Sequence, residues 1–311
     1  MTEQTIKIGQ APEQQPEVDI SKIVPINRQT FSEKLHAYMK KPFSFVMLIL
    51  VLLATLLMVG AVLWVILYAF VQGIPNFNAS LFAWESTARN PSLTPALINT
   101  LIIAVMALLI AVPIGVFAAI FMVEYAKSTN IFVKIVRMAA ETLSGIPSIV
   151  YGIFGMLFFV QFCGWGYSLM AGILTMSIMI LPLIMRTTEE SLKAVPDSFR
   201  EGSYALGAGK LRTIFVIILP SAMSGIISGI ILGLGRVVGE TAALIYTAGT
   251  VKAVPDSLMG SGATLAVFMY SLYRENVAPE IAWATGVVLI ILVVIINGAA
   301  EFVGNKLKKE Y

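Results

Sequence analysis

The sequence predicts an all-α membrane protein with six transmembrane helices, and three observations support this fold class. First, 58% of its 311 residues are hydrophobic and 13% are charged, whereas a typical soluble domain is about 25% charged. Second, several stretches without any charged residue are long enough to cross the hydrocarbon core of a bilayer. Third, Lys and Arg are distributed unevenly between the connecting segments. One Cys and one His exclude a disulfide framework and a zinc cluster built from these residue types.

Residues 1–42 are predicted to form a polar tail before the membrane domain. The first part of this tail is rich in Pro and Gln, a composition typical of disorder. Between residues 31 and 41, apolar side chains recur at helical spacing among lysines, which predicts a helix at the membrane interface. A signal peptide is not expected, because the first apolar run begins only at Phe43 and is too long for one.

The membrane domain is predicted to cover residues 43–303 and to cross the bilayer six times. The uncharged run Thr142–Met185 is too long for one crossing, so we expect two helices in it, divided at Gly164-Trp165-Gly166. The other four predicted spans are Phe43–Phe70, Ala96–Val123, Ile214–Gly235 and Ile281–Ala300. A short tail, residues 304–311, follows the last span.

Basic residues indicate which loops face the cytoplasm. The two tails and the second and fourth connecting loops together hold 17 Lys and Arg residues, whereas the loops on the other side hold three. Cytoplasmic loops of membrane proteins carry the excess of these residues. Both termini and the fourth loop, residues 186–213, are therefore expected on the cytoplasmic side.

The loop 186–213 is predicted to contain a short separate helix. Pro196 cannot donate the hydrogen bond that a continuing helix needs. Gly207 and Gly209 provide positions where left-handed backbone angles carry no steric cost. A helix over Phe199–Leu206 is therefore expected between the proline and the glycines.

Two capping boxes indicate where helices of this loop begin. Thr187 stands three residues before Glu190, and Ser198 stands three residues before Glu201. In such a pair the hydroxyl and the carboxylate satisfy backbone N–H groups at a helix start. One helix is therefore expected to start near Thr187 and another near Ser198.

Arg236 and Glu240 are charged residues within apolar sequence that continues to about Ala248. An arginine near the bilayer centre costs about 2.5–3.5 kcal/mol, so Arg236 is expected to face protein or water. The four-residue spacing places both charges on one helix face, where they can pair. Two interpretations stay open, namely a guanidinium that lines a path for oxyanions and a structural ion pair. Ser148, at the start of the third span, is either a helix cap or a further pathway residue.

A stripe of small residues runs along the fifth span at four-residue spacing. It consists of Ser221, Gly225, Gly229 and Gly233. This spacing predicts close packing against another helix. Arg236 lies seven residues after Gly229, within about 20° of it around the helix axis, so its side chain is expected to point toward that seam.

Two phosphate-binding motifs are incomplete, so this chain is not expected to bind ATP or to be an enzyme. The glycines within residues 233–239 have one spacing too long for a dinucleotide fingerprint, and no strand precedes them. The Gly207–Leu211 run lacks the first Gly and the Ser or Thr of a phosphate loop. Catalytic side chains are not clustered, which argues against a membrane-embedded enzyme. No metal site is expected, and ATP-driven work needs a partner.

The second half of the loop resembles the cytoplasmic loop of ABC importer permeases. In that family the loop carries Glu followed by two small residues, then three residues and Gly, then nine residues and Ile-x-Leu-Pro. Here the corresponding residues are Glu201-Gly202-Ser203, Gly207 and Ile217–Pro220, and both spacings are the same. Gly202 and Ser203 replace two alanines, which weakens the helix. The resemblance implies a coupling helix that docks in a groove of a separate ATPase subunit. The residues expected at that interface are Ser198, Phe199, Arg200, Glu201, Tyr204, Leu206 and Gly207.

Across about Ala96–Asn297 the chain is similar to phosphate-importer permeases of the PstA type. The residues that carry this similarity are Arg186–Glu189, Val195-Pro196, Arg200-Glu201, Tyr204–Gly207 and Gly239–Ala242, together with Pro147–Val150. The resemblance implies a type I ABC importer permease architecture in a bacterial cytoplasmic (inner) membrane. The substrate path is then expected to include Arg236, Glu240, Thr241 and Ser148.

The resemblance also implies a set of partners. These are a sister permease that forms a heterodimer, two ATPase subunits that bind ATP and Mg²⁺, a periplasmic phosphate-binding protein and membrane lipid. No cofactor of its own and no nucleic acid are expected. The implied function is import of inorganic phosphate by alternating access. Two alternatives stay open: an importer for another oxyanion or small solute, and an ATP-independent channel or secondary transporter.

Overall fold

The computed structural model describes residues 42–87, 90–126 and 130–308, and the regular secondary structure in these ranges is helical. The chain divides into two compact units, of which the first ends at Trp64 and the second begins at Val65. Residues 1–41, which include the predicted tail and interfacial helix, lie outside the described ranges.

The helices follow one another along the chain with short connections. The α-helices are α1 (Pro42–Gly73), α2 (Thr94–Ile120), α3 (Ile131–Ser144), α4 (Ser148–Gly155), α5 (Leu169–Lys193), α6 (Asp197–Ala205), α7 (Lys210–Thr213), α8 (Leu219–Val238), α9 (Ala242–Thr247), α10 (Leu265–Arg274) and α11 (Pro279–Lys308). Wider π-helical turns are Phe121–Tyr125 after α2, Met156–Phe162 after α4 and Ile214–Ile218 before α8. Two 3₁₀ turns, Ile74–Asn76 and Ala79–Phe82, follow α1.

Five helical segments have the length and apolar composition of membrane spans, which confirms five of the six predicted crossings. They are Phe43–Asn76, Thr94–Tyr125, Leu169–Lys193, Lys210–Val238 and Pro279–Phe302. Each exceeds the roughly 20 residues that a bilayer crossing requires.

The third predicted crossing is not a straight helix through the uncharged run. Ile131–Ser144 and Ser148–Phe162 together have the composition of a span but meet at an angle of 103°, and the second of these helices begins at Ser148, as predicted. Pro147 lies at the break with a ψ of 143°. It separates the two helices, because proline restricts the residue before it and cannot donate a helical hydrogen bond. The predicted division at Gly164 and Gly166 is confirmed, since both adopt left-handed backbone angles.

The core is organised around α5, whose apolar stretch is the most buried of the five spans. This helix packs against α2 and α8 and also contacts the short helices α4 and α9. Seven of its large apolar side chains are fully buried, namely Leu169, Ile173, Met176, Met179, Ile180, Ile184 and Leu192. Within a bilayer, close packing of side chains and not removal of apolar surface from water favours contact between helices, so α5 is the central element of the helix packing.

The small-residue stripe of α8 packs against α5, as its spacing predicts. A Cβ atom at Gly225 would overlap the side chain of Ser191, and one at Gly229 would overlap that of Thr187. Gly233 lies farther along the same seam, next to Ile184. Glycine therefore lets the two backbones approach at these positions.

Candidate functional site

The short helix of the loop 186–213 exists as α6, although its start differs from the prediction. It runs from Asp197 to Ala205, about two residues earlier than expected at the start. Pro196 precedes the first helical residue, and no side chain caps this end. The capping box predicted for Ser198 is therefore wrong, because Ser198 already lies within the first turn.

The helix start predicted at Thr187 is also wrong. α5 continues without interruption to Lys193, and the Thr187 hydroxyl donates to the carbonyl oxygens of Leu183 at 3.0 Å and of Ile184 at 3.1 Å. Such back-bonding satisfies a hydroxyl inside a helix. The local Thr–Glu pattern is overridden because α5 packs along its whole length.

Gly207 ends α6 as predicted, whereas Gly209 does not. Gly207 has a φ of +80°, and its N–H donates to the Tyr204 carbonyl at 2.9 Å. The next N–H, of Ala208, donates to the Ser203 carbonyl at 3.1 Å, which completes a Schellman cap. Gly209 is extended and precedes α7. A single left-handed residue therefore holds the end of α6.

Most of the residues predicted to contact an ATPase lie on the exposed surface of α6 and its cap. Leu206 is 90% exposed, Phe199 49% and Tyr204 44%. Ser198, Glu201 and Gly207 are exposed as well. Several exposed large apolar side chains on one short helix are typical of a protein contact. We call Phe199, Tyr204 and Leu206 the apolar tip of α6.

Arg200 is the exception among these residues, because it points into the protein. Its Nε and Nη2 donate to Glu124 Oε1 at 3.1 and 2.8 Å, and the two side chains are 15% and 5% exposed. It also donates to the carbonyl oxygens of Leu192 and Val195. The hydrogen bond with Glu124 raises the pKa of Arg200, and arginine is charged at physiological pH in any case.

Sequence reasoning missed Glu124 and Ser203 as parts of this region. Glu124 lies in the π-helical turn after α2, and the buried Ser203 shares a 2.8 Å hydrogen bond with the Thr213 hydroxyl. The available signal for Glu124 was a carboxylate directly after a long uncharged run. For Ser203 it was a small polar residue in place of alanine.

Arg236 and Glu240 do not share a helix face, which corrects the predicted ion pair. α8 ends at Val238, and Glu240 lies in the connection to α9. There its Oε1 accepts a hydrogen bond from the N–H of Ala243 at 3.0 Å, so Glu240 caps α9. The pairing rule applies only within a continuous helix, and Gly239 ends this one.

Arg236 lines a polar cavity of about 480 Å³ between α3, α5 and α8. The other charged residues that line it are Arg137, Arg186, Lys193, Glu141, Glu189 and Glu190. Glu189 accepts from Arg137 at 2.7 Å and from Lys193 at 2.6 Å. Arg186 and Glu190 pair at 3.0 Å.

The ion pairs leave Arg236 as the available cation of this cavity. Of its four basic lining residues, Arg236 alone forms no salt bridge to any carboxylate in residues 42–87, 90–126 and 130–308. A half-buried guanidinium without a carboxylate attracts oxyanions, because its N–H donors match their oxygen atoms. We call this the Arg236 cavity.

The four predicted pathway residues are not gathered around one cavity. Thr241 lines a second cavity of about 530 Å³, together with aromatic residues that include Tyr246 and Trp283. Ser148 is the first residue of α4 and lines neither cavity. α4 packs on α9 at Gly152, where a Cβ atom would overlap the backbone of Ala243.

Comparison with known proteins identifies the family of this helical protein. Residues 111–309 match the family described as binding-protein-dependent transport system inner membrane component. The chain belongs to this family. It is therefore a permease component of an ABC importer and a multi-pass membrane protein.

Several relatives of the permease are phosphate transport proteins by name. It is 33% identical over 239 residues to the phosphate transport system permease protein PstA 2 of Mycobacterium bovis, covering 75% of this chain and 78% of the relative. It is 38% identical over 213 residues to PstA of Mycobacterium leprae, with 66% and 68% covered. The probable ABC transporter permease protein YqgI of Bacillus subtilis is 33% identical over 261 residues, with 78% and 88% covered.

Solved structures agree with the fold of the permease. A chain of a bacterial alginate ABC transporter superposes with a TM-score of 0.63 at 15% identity, covering 88% of this chain and 98% of that one. A chain of the inward-facing MetNI methionine ABC transporter gives 0.53 at 20% identity, covering 69% and 94%. These neighbours confirm the permease architecture of type I ABC importers predicted from the sequence.

Proposed function

We propose that this permease is the PstA-type subunit of an ATP-driven importer of inorganic phosphate. Relatives named PstA, at 33% and 38% identity, support this substrate. The cation that lines the Arg236 cavity supports it chemically, because guanidinium groups bind phosphate oxygens through charge-assisted hydrogen bonds.

The observation that carries the proposal is the apolar tip of α6, held between Pro196 and the left-handed Gly207. We assign Phe199, Tyr204 and Leu206 to contact with an ATPase subunit, and Ser198, Glu201 and Gly207 to the same interface. ATP and Mg²⁺ are bound by that partner. Two ATPase subunits lie on the cytoplasmic side, where both termini of this chain also lie. A sister permease and a periplasmic phosphate-binding protein complete the importer.

The proposed transport cycle is alternating access. Closure of the two ATPase subunits on ATP moves the docked α6 helices together and opens the membrane helices outward, where phosphate enters from its binding protein. Hydrolysis returns them to the inward-open state. Arg236 then holds phosphate on the path, Glu240 fixes the start of α9, and Thr241 and Ser148 are assigned to other parts of the path.

The test is reconstitution of the complete importer in proteoliposomes. We expect labelled phosphate to accumulate only when ATP and the binding protein are both supplied, with sulfate and methionine failing to compete at equal concentration. Uptake by this chain alone without nucleotide would contradict an ATP-driven importer and support a channel or secondary transporter.

A second candidate function is import of a different oxyanion or small solute. The observation that favours it is the structural similarity to chains from methionine and alginate transporters, which shows that one architecture occurs with different solutes. ATP-dependent accumulation of another labelled solute, without accumulation of phosphate in the same vesicles, would establish this candidate in place of phosphate.

A further inference from the structure

The end of α2 is held by the loop that carries α6, although the two are far apart in sequence. α2 continues into the π-helical turn Phe121–Tyr125, and its Glu124 accepts from Arg200 through two nitrogen atoms at 2.8 and 3.1 Å. Both side chains are largely buried. A buried guanidinium–carboxylate contact with several hydrogen bonds is directional and costly to separate.

A second contact holds the next residue of the same turn. The Lys210 Nζ atom lies over the ring of Tyr125, 4.6 Å from its centroid, in cation–π geometry. Arg200 belongs to α6 and Lys210 to α7. Two cations, one on each side of the α6 cap, therefore contact two consecutive residues at the end of α2. We call Glu124, Tyr125, Arg200 and Lys210 the α2 clamp.

Arg200 also connects α6 to the end of α5. Its Nη2 donates to the Leu192 carbonyl at 3.0 Å, and its Nη1 donates to the Val195 carbonyl at 2.9 Å. Leu192 and Val195 themselves lie in a buried apolar cluster with Ile120 and Met122 from the end of α2. One side chain thus connects α6 simultaneously to two membrane helices.

We propose that the α2 clamp transmits the displacement of α6 to α2, and that Arg200 and Glu124 are positioning residues for transport. The inference rests on the proposed function, because it requires that α6 docks on an ATPase. The chain itself links α6 only to α5 and, through α7, to α8. Leu192 and Val195, shortly before α6, pack with the end of α2, and the clamp adds the direct contact between α6 and α2 through which α2 follows α6.

The decisive experiment measures phosphate uptake and ATP hydrolysis in the same proteoliposomes containing the full importer. For Glu124→Gln we expect phosphate transported per ATP hydrolysed to fall about tenfold, while hydrolysis stays within about threefold, since the buried pair is lost and docking is kept. Asp197→Asn is the matched control. It removes the other carboxylate of Arg200, which is 85% exposed, so the ratio should stay within about twofold.

The outcomes separate the clamp from the proposed function. If the unmodified importer hydrolyses ATP without phosphate uptake, the proposed function fails. If it couples the two and Glu124→Gln keeps the normal ratio, the clamp is overturned. A purely structural role predicts that uptake and hydrolysis fall together with the amount of assembled complex, which also overturns it.

A milder variant tests the α2 clamp if the importer with Glu124→Gln does not assemble. Lys210→Gln removes only the exposed cation–π contact and should lower the transport ratio about twofold to threefold. Arg212→Gln, which removes an exposed charge on the same short helix, should leave the ratio unchanged. Equal ratios in these two variants overturn the proposal.

Discussion

Two arginines of this permease have opposite surroundings. Arg200, at the base of α6, uses its nitrogen atoms on Glu124, on backbone carbonyl oxygens and on Asp197. Arg236, at the end of α8, forms no salt bridge within the described ranges and lines a polar cavity. Both residues carry a guanidinium group. The N–H donors of Arg200 are all used within the protein, whereas those of Arg236 are available to an anion.

The comparison shows that the availability of the guanidinium N–H donors, and not the residue type, distinguishes an arginine that positions helices from one that can bind a ligand. A guanidinium whose donors are all occupied contributes to positioning, because another ligand would have to displace buried hydrogen bonds. One that faces a cavity and is not paired with a carboxylate keeps its donors for an oxyanion. The following variants test this distinction and the helix geometry that supports it.

The largest effect is expected for Arg236→Gln. Losing charge-assisted hydrogen bonds worth about 1.5–3 kcal/mol should lower phosphate uptake by about 10- to 100-fold. ATP hydrolysis by the assembled importer should persist, since α6 is untouched. The measurement is labelled-phosphate uptake, with Arg186→Gln as control because that exposed arginine is already paired with Glu190. Equal losses in both variants would show that general cavity charge, and not the unpaired cation, matters.

A smaller effect is expected for Gly207→Val at the end of α6. A β-branched residue at φ +80° costs about 1–3 kcal/mol, so the Schellman cap should open and uptake should fall about tenfold. Membrane insertion should stay normal in a fractionation assay. Gly209→Ala is the control, because Gly209 has a φ of −75°. Normal phosphate uptake by the Gly207→Val variant would show that the Schellman cap is not needed for coupling.

Next in size is Gly229→Ala, which tests the seam that positions the end of α8. The added methyl group overlaps the Thr187 side chain, and overpacking of this kind costs about 1–3 kcal/mol. A lower melting temperature in detergent is therefore expected. Gly235→Ala provides the comparison, since its nearest neighbour would be Asn297 Oδ1 at 3.9 Å. Equal melting temperatures for the two variants would contradict the close α5–α8 packing.

The smallest effect is expected for Ser203→Ala. The variant loses the buried hydrogen bond to Thr213, but Thr213 keeps its 3.2 Å bond to the Gly209 carbonyl. We expect about 1 kcal/mol of destabilisation, seen as a small shift in thermal unfolding with uptake retained. A loss of uptake as large as that of Gly207→Val would instead indicate that this bond, too, transmits movement of α6.

Most predictions that came from apolar length and from glycine were accurate, and the exceptions are the bent third crossing and Gly209, which does not end α6. Uncharged runs identified five spans, because burial in lipid requires apolar length whatever the neighbours are. Gly207 was assigned correctly, since a left-handed position excludes most other residues. The four-residue glycine stripe likewise indicated the α5–α8 contact. Orientation, partners and pathway roles stay predictions.

The predictions that depended on short polar patterns were wrong. A capping box satisfies backbone N–H groups at a helix start. A helix starts there only if the residue before the box is not helical, whereas the residues before Thr187 and Ser198 are helical. The Arg236–Glu240 pair required a helix that continues through Gly239. Arg200 was expected at the surface together with its neighbours on α6, and the sequence did not indicate that it would bind Glu124.

By itself, the sequence determined that this is a multi-pass helical permease and where α6 ends. The length of an apolar run and the left-handed conformation of a glycine depend on local sequence and not on distant contacts. Only the tertiary structure decided which arginine is saturated and which faces a cavity. The physical reason is that a guanidinium reaches donors and acceptors from several helices, and their proximity follows from how those helices pack around α5.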